Sequence, residues 1–288
     1  MQSPFTWFGG KGHLSTQILA EFPPDSEYSC YVEPFGGGAS ILFAKTPTCL
    51  EVYNDLDRLL VNFFQQLRTN SEEFIDKLKL VPYAREEHKE AKRVLHLPTL
   101  LAYLRSGKGV EAAVSFFILT RQSMSGDIKG GWSLGKTNNP VPSWLSAIDR
   151  LPECVNRFKQ VQIENLGAIQ CTEKYDGLKT MFYIDPPYMH STRSETRYNI
   201  DMDSYQHKML LKRLLNIKGF VLLSGYDNPS YNKALEEWGR VEIKTVSQAT
   251  PNVGDNKGEG VMKENHARVE VMWLNPQLME FKKQGILF

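Results

Sequence analysis

Cysteine is scarce in this sequence, and its spacing argues against two kinds of stabilising site. The four cysteines are widely separated along the chain: Cys30, Cys49, Cys154 and Cys171. No two of them have the short separation of a zinc-binding pair, and a disulfide framework is typical of shorter secreted chains. The pattern therefore predicts four reduced thiols, no structural metal and a cytoplasmic protein.

Long apolar runs and a strong charge excess are also missing. No run approaches the roughly 18 residues that a membrane-spanning helix needs, and residues 1–12 lack the basic and apolar regions of a secretory signal. We therefore expect no membrane partner. The 34 basic and 33 acidic residues leave a net charge of +1, which is unlike a markedly basic nucleic-acid-binding domain. Residues 61–180, with 17 basic and 13 acidic residues, are the best candidate for a polyanion contact, although ordinary surfaces also carry such an excess.

The order of the predicted elements is typical of a doubly wound α/β sheet. Residues 28–35 are rich in aromatic and β-favouring side chains and end at three glycines, which predicts a buried strand and a tight turn. Strands and helices then alternate, as in parallel α/β sheets. The further predicted strands are 50–53, 161–164, 179–184, 220–223, 241–246 and 267–274. The predicted helices of this part are 39–45, 56–67, 205–215 and 231–238.

Residues 70–159 interrupt this alternation with helical patterns. Helices are predicted from Ser71, at 83–96 and at 110–121, and a single helix at 143–158. Residues 122–142 are rich in Gly, Ser, Asn and Pro and are predicted as a long loop, which is either functional or disordered. We therefore predict one domain formed by residues 1–69 and 160–288, and an inserted helical domain at 70–159.

The most informative motif is Asp185-Pro186-Pro187-Tyr188, which follows the predicted strand 179–184. Ligands of α/β sheets bind at the carboxyl ends of the strands, and prolines fix their φ angles and donate no N–H. The carboxylate of Asp185 and the carbonyl of Pro186 can therefore accept from the two N–H groups of a planar amine. Tyr188 can stack on the ring that bears this amine. A proline turn that simply ends the strand is the alternative.

Two other segments contain glycines that would let a ligand approach the backbone. The run Glu33-Pro34-Phe35-Gly36-Gly37-Gly38 is not the GxGxxG of a dinucleotide site. Asp55, about 20 residues later, can hold ribose hydroxyls; its alternative role is to cap the following helix, which Asp57 can also do. The run Trp7-Phe8-Gly9-Gly10-Lys11 offers aromatic rings to a cationic ligand or an adenine.

Taken in order, these motifs, the dipeptide Asn54-Asp55 and the insertion resemble the DNA adenine methylase (Dam) family of S-adenosylmethionine-dependent enzymes. The resemblance extends from Phe5 to about Pro276, and the C-terminal half is closer to phage-borne and restriction-associated members. It implies a Rossmann-like seven-stranded methyltransferase sheet with a reversed final hairpin, formed by 241–246 and 267–274, and an inserted target-recognition domain. It also implies methyl transfer to the exocyclic amino nitrogen of a flipped adenine in double-stranded DNA, without a metal.

The resemblance also implies a role for individual residues. Those expected around S-adenosylmethionine are Trp7, Lys11, Glu33, Phe35, Gly36, Gly38, Asp55 and Asp185. Those expected at the target adenine are Asp185, Pro186, Pro187 and Tyr188. Those expected to contact DNA are Arg121, Met124, Lys129 and Arg193. Met124 replaces the intercalating aromatic residue of the family, and Lys129 replaces the base-reading Arg of GATC-specific members, so the recognition sequence stays open.

The same analysis leaves other functions to be separated. A methyltransferase of this fold that acts on RNA or protein, and a non-catalytic DNA-binding relative, are the alternatives. An oxidoreductase that uses a dinucleotide would leave the Asp185–Tyr188 motif unexplained. For the methyltransferase, we expect a monomer or weak dimer and a cognate restriction enzyme that acts separately.

Overall fold

The computed structural model describes residues 1–96, 100–135, 138–189, 201–246 and 267–285. Within these residues, seven strands form one sheet in the order β3-β2-β1-β4-β5-β7-β6. The strands are β1 (Cys30–Glu33), β2 (Leu50–Asn54), β3 (Val161–Glu164), β4 (Thr180–Ile184), β5 (Phe220–Tyr226), β6 (Gly239–Val246) and β7 (Ala267–Leu274). The fold is therefore the predicted α/β, Rossmann-like methyltransferase sheet.

Strand directions determine where the functional loops meet. Strands β1 to β5 run parallel to one another, whereas β7 lies antiparallel between β5 and β6. This arrangement confirms the predicted reversal of the final hairpin. β4 occupies the middle of the sheet and is buried along its whole length, which explains its continuous apolar sequence. The loops that follow β1, β2 and β4 consequently lie at one edge.

Helices cover the sheet and form the segment between β2 and β3. The helices before this segment and at its start are α1 (Ser15–Leu19), α2 (Ser40–Ala44) and α3 (Arg58–Thr69). The helices within it are α4 (Ser71–Lys79), α5 (Arg85–Leu95), α6 (Leu100–Arg105), α7 (Gly109–Gln122), α8 (Val141–Asp149) and α9 (Leu151–Phe158). The remaining ones are α10 (Ala168–Tyr175), α11 (Ser204–Leu214), α12 (Pro229–Ala234) and α13 (Pro276–Gly285).

Two predictions for the helical segment need correction. The single helix predicted at 143–158 is two helices, α8 and α9, because Pro152 has no N–H for a continuous helix and stands instead in the first turn of α9. The predicted loop 122–142 contains a 3-10 turn at Met124–Gly126 and a bridge between Ser123 and Trp132, and α8 already begins within its last residues.

The helical segment packs on the sheet domain through a shared apolar core. The Phe64 ring of α3 stacks on Phe158 of α9 with 4.3 Å between centroids, and Phe63 lies parallel to Phe117 of α7. All four phenylalanines belong to one hydrophobic cluster that also includes Tyr53 of β2. The segment is therefore inserted in sequence but continuous with the sheet in packing.

Candidate active site

A cleft of about 390 Å³ lies at the carboxyl ends of β1, β2 and β4. Its walls come from the N-terminal segment, the loops after these three strands, the start of α10 and one side of α11. The residues that the sequence predicts around the cofactor all line it: Trp7, Lys11, Glu33, Phe35, Gly36, Gly38, Asp55 and Asp185. Segments far apart in the chain thus meet at the sheet edge where α/β proteins bind ligands.

Only glycine fits at position 36, because the Tyr53 ring lies directly against the backbone there. A Cβ atom at this position would lie 2.2 Å from Cε2 of Tyr53. Tyr53 in turn donates its hydroxyl proton to the carbonyl of Gly37 at 2.9 Å, and Gly37 has a φ of +47°. The glycine run therefore folds tightly over β2 and forms part of the cleft wall.

Asp55 holds the glycine loop rather than capping a helix. Its Oδ2 accepts from the Gly37 N–H at 2.8 Å, and its Oδ1 accepts from the Asp57 N–H at 2.8 Å. Asp57 is the cap of α3, since its carboxylate accepts from Leu59 N at 2.9 Å. Burial raises the pKa of Asp55 to about 7, against the effect of the two backbone donors.

Asn54 is a structural residue of the site whose side-chain role the sequence did not reveal. Its side-chain amide donates to Pro34 O at 2.8 Å and to Leu166 O at 3.1 Å, and its Oδ1 accepts from Leu166 N at 2.8 Å. One buried side chain therefore fixes the loops after β1 and β3. A polar residue at the end of an apolar strand is a signal for such a clamp, but it does not name the partners.

Trp7 closes the cleft beside the glycine run. A Cβ atom at Gly38 would lie 3.0 Å from Cβ of Trp7, and the Trp7 ring packs edge-on against Phe5 and at a tilt against Phe116. The N-terminal segment is thus anchored in the core rather than frayed. A buried glutamate, Glu33, lines the same region, and burial raises its pKa to about 8.

Asp185 is held by two donors at the end of β4. Lys11 Nζ lies 3.2 Å from its Oδ1, and the Tyr188 hydroxyl donates to the same oxygen at 3.1 Å. Burial raises the pKa of Asp185 to about 6; Lys11 opposes this effect and the nearby carboxylate of Glu270 adds to it. Asp185 and Pro187 line the cleft, whereas Pro186 is buried.

Tyr188 is engaged at both its hydroxyl and its ring. The one hydroxyl proton is shared between Oδ1 of Asp185 and Oε1 of Glu270, which both accept from it. Lys11 Nζ lies 4.7 Å from the ring centroid, and the Tyr226 ring meets it edge-on at 4.6 Å. Neither Tyr188 nor Pro186 is among the described residues that line the cleft. Base stacking by Tyr188 therefore stays a prediction.

Glu270 is another residue that the sequence analysis missed. It belongs to β7, is only 4% exposed and accepts from Ser224 Oγ of β5 at 2.7 Å. In the stretch Ala267–Leu274 it alternates with apolar residues, which is also the pattern of a solvent-facing charge. Its neighbours on both faces, Val271 and Met272, are buried, and this excess of apolar residues is the signal that marks it.

The predicted DNA contacts lie near the 3-10 turn, apart from Arg193, which falls outside the described residues. Met124 is 58% exposed at this turn. Arg121 donates to the carbonyl and hydroxyl oxygens of Ser143 at 3.0 Å, and burial lowers its pKa. Lys129 accepts from Lys92 Nζ through its carbonyl.

The described part of the chain contains no helix long and apolar enough to cross a membrane. Within the same residues, no group of three or more His, Cys, Asp and Glu side chains is arranged to hold a metal ion.

Comparison with known proteins identifies the family to which this architecture corresponds. The family described as D12 class N6 adenine-specific DNA methyltransferase matches residues 7–249. The type II methyltransferase M1.LlaDCHI of Lactococcus lactis subsp. cremoris is 28% identical over 84% of this chain and 88% of its own length. The type II methyltransferase M.MjaIII of Methanocaldococcus jannaschii is 22% identical over 88% of this chain and 94% of its own length.

Proposed function

We propose that the cleft of this chain binds S-adenosylmethionine and presents it to a flipped adenine. The premise is that the chain belongs to the D12 class N6 adenine-specific DNA methyltransferase family. Family membership makes the chain an enzyme that methylates adenine in DNA, as the resemblance predicted. The proposal concerns the finer points: which cofactor, which residues and how the DNA is held. The observation that carries it is the position of Asp185 beside the glycine loop in a single cleft.

The charge of the cleft supports S-adenosylmethionine as the cofactor. Among the described lining residues, acidic side chains outnumber basic ones. The basic residue is Lys11, and the acidic residues are Glu33, Asp55, Asp57, Asp185 and Asp201. S-adenosylmethionine has an ammonium and a sulfonium against one carboxylate, so it is a net cation. A dinucleotide carries a pyrophosphate, which this acidic surface would repel. The volume of about 390 Å³ is also in the range of small-ligand pockets.

The donor and acceptor groups fit the parts of this cofactor. The carboxylate of Asp55, already held by backbone N–H groups, can accept from ribose hydroxyls. Residues 36–38, which line the cleft, can lie against the amino-acid end of the cofactor. Trp7 offers a ring face to the sulfonium or the adenine. When bound, the cofactor supplies a methyl group on a cationic sulfur.

The Asp185–Tyr188 motif is suited to hold the acceptor amine. A base in a duplex must leave the stack to reach a buried site. Its amino group can then donate one hydrogen bond to the carboxylate of Asp185 and one to the carbonyl of Pro186. With both N–H bonds held by these acceptors, the nitrogen lone pair can leave conjugation with the ring and point to the methyl group. Positioning of this kind supplies most of the catalysis in an in-line displacement.

We assign recognition of the DNA to the helical segment 70–159 and the 3-10 turn within it. Arg121, Lys129 and Arg193 are proposed to contact the DNA, and Met124 is proposed to enter the space left by the flipped base. The names of the similar proteins suggest a type II restriction–modification context, so a separate restriction enzyme that cleaves the same sequence is part of the proposal. We propose that the enzyme acts as a monomer or weak dimer.

The test is a methylation assay with S-adenosylmethionine on unmethylated genomic DNA, with modified adenines located by single-molecule sequencing. We expect modification within one short sequence. Asp185→Asn and Asp185→Ala should reduce methylation by about a hundredfold or more while DNA binding is retained. Asp25→Asn, at an exposed aspartate before β1 and outside the helical segment, serves as the matched control. Full activity in Asp185→Ala, or no binding of S-adenosylmethionine to the wild type, would overturn the proposal.

A further inference from the structure

The antiparallel direction of β7 brings a buried carboxylate to the active-site edge of the sheet. Since β7 runs opposite to β5, its first half lies beside the carboxyl end of β5, and Glu270 pairs in register with Tyr226. Tyr226 in turn contacts the ring of Tyr188. Strand β7 thus contributes a charged group directly behind the Asp185–Tyr188 motif.

We propose that Glu270 is a positioning residue for methyl transfer, which holds Tyr188 and Lys11 so that the carboxylate of Asp185 remains a correctly aimed acceptor for the target amine. This inference rests on the proposed function of Asp185. It assigns Glu270 no contact with the substrate or the cofactor.

Glu270 contacts the same two side chains, Tyr188 and Lys11, that contact Asp185. Its Oε1 accepts from Ser224 Oγ at 2.7 Å and from the Tyr188 hydroxyl, and lies 3.5 Å from Lys11 Nζ. Tyr188 and Lys11 are also the two groups that contact Oδ1 of Asp185. Both contacts are made to Oδ1, so they fix the Asp185 carboxylate without using its second oxygen. That oxygen can then accept from the amine.

The charge balance gives Glu270 a second effect. Lys11 is shared between two buried carboxylates, so it does not neutralise Asp185 alone. With Glu270 removed, the full charge of Lys11 would act on Asp185 and weaken it as an acceptor. The other titratable groups that face Asp185, Tyr183 and Tyr188, are phenols whose pKa burial raises far above neutrality, so both stay protonated. Among the described residues, Glu270 and Lys11 are therefore the charges that act on Asp185 in addition to its burial.

The alternative is that Glu270 has only a structural role. Such a role would depend only on the hydrogen bond from Ser224, which joins neighbouring strands. Loss of that bond would lower the free energy of unfolding without changing how the reaction depends on pH. A pH profile therefore separates the two roles.

The experiment compares the wild type with Glu270→Gln and Glu270→Asp, with Glu242→Gln as the control. Glu242 lies on the adjacent strand β6, is 48% exposed and pairs with Arg240, so its substitution tests the loss of a glutamate charge from the same sheet. The single-turnover rate of methyl transfer is measured from pH 5 to pH 9 (a range of about four pH units that includes the raised pKa of Asp185) with saturating S-adenosylmethionine and cognate DNA. Thermal unfolding and cofactor binding are measured on each protein.

We expect Glu270→Gln to fold and to transfer methyl about tenfold more slowly or worse at pH 8. Its acid limb should move to lower pH, because loss of a like charge lowers the pKa of Asp185. Glu270→Asp keeps the charge but shortens the side chain, so it should keep the wild-type acid limb with an intermediate rate. Glu242→Gln should match the wild type in both respects.

A folded Glu270→Gln with the wild-type rate and acid limb would overturn the inference, and so would one that loses only thermal stability. If Glu270→Gln does not fold, a wild-type rate in Glu270→Asp would overturn it instead. Failure of the proposed function has a separate sign, because the wild type itself would then transfer no methyl group to DNA.

Discussion

Lys11 Nζ lies 3.2 Å from Oδ1 of Asp185 and joins the N-terminal segment to the end of β4. Both side chains are largely withdrawn from solvent, with side-chain exposures of 6% and 16%. A cation held this close stabilises the ionised carboxylate that burial disfavours. The N-terminal motif and the Asp185–Tyr188 motif therefore act on one atom, which explains why both are needed in one chain.

Replacement of Lys11 by Gln should narrow the pH range of activity. Burial raises the pKa of Asp185 to about 6 and Lys11 opposes this, so loss of the cation moves the pKa further up. A protonated Asp185 cannot accept from the amine at the proposed position. We therefore expect the acid limb of the methyl-transfer rate to begin at about pH 6 in the wild type and at a higher pH in Lys11→Gln. Lys89→Gln, at an exposed position, is the control and should keep the wild-type acid limb. An unshifted acid limb in Lys11→Gln would contradict the prediction.

Binding of S-adenosylmethionine should release protons and strengthen with pH. The pKa of Asp55 is about 7 and that of Glu33 about 8, both raised by burial, so these carboxyls are partly protonated near neutrality. A cationic ligand favours their ionised forms and lowers both pKa values. Affinity should therefore rise as pH increases through this range, since fewer protons remain to be displaced.

Calorimetry in two buffers of different ionisation enthalpy measures the protons released on binding. Asp55→Asn should bind the cofactor more weakly and release fewer protons, whereas Asp76→Asn, at an exposed position on α4, should behave as the wild type. Proton uptake on binding, or an affinity that falls as pH rises, would show that the charge argument for the cofactor is wrong.

Gly36→Ala should damage the cofactor loop specifically. The added Cβ would lie 2.2 Å from the Tyr53 ring, which is itself fully buried and cannot move away freely. Overpacking of this kind costs about 1–3 kcal/mol of the free energy of unfolding. We expect a lower melting temperature and a loss of cofactor affinity that exceeds the loss of stability.

Gly131→Ala is the matched control for this substitution, because no atom lies within 4 Å of its added Cβ. It should leave melting temperature and cofactor affinity nearly unchanged. Equal behaviour of the two alanine variants would mean that the loop after β1 can relax around an added methyl group.

The sequence predicted the sheet more fully than it predicted the contacts inside the site. The strands 161–164 and 267–274 were predicted with their observed bounds, because β-favouring apolar residues and turn signals define them locally. Helices α1, α6, α10 and α13 were not predicted. Three of these are eight residues or shorter, and a segment of that length shows too few turns to establish a helical period.

The site residues divide in the same way. Asp55 and Asp185 follow strands and could be assigned to the cleft from topology alone. Glu270 could not, because a glutamate in an alternating strand is equally consistent with a surface position, and only the antiparallel placement of β7 buries it beside Ser224. The partners of Asn54 depend on loops that approach only in the folded chain, such as the one that contains Leu166.

Met124→Ala should impair base flipping without affecting the fold. Met124 is 58% exposed at the start of a tight 3-10 turn, so its side chain contributes little to the core. Gly126 fixes this turn against the N-terminal segment, since an added Cβ would lie 3.0 Å from the carbonyl oxygen of Thr6, one residue before Trp7. The turn therefore holds an apolar side chain close to the segment that lines the cleft.

An apolar wedge helps to keep the target base out of the stack, where unstacking costs a few kcal/mol. We expect Met124→Ala to bind cognate DNA about tenfold more weakly and to show a smaller fluorescence increase from 2-aminopurine at the target position. The slope of affinity against salt concentration should not change, because no phosphate contact is removed. Leu178→Ala, at an apolar position outside the helical segment that is 77% exposed, is the control and should match the wild type. Wild-type flipping in Met124→Ala would mean that another residue fills the vacated space, and a changed salt slope would mean that the turn carries charge contacts as well.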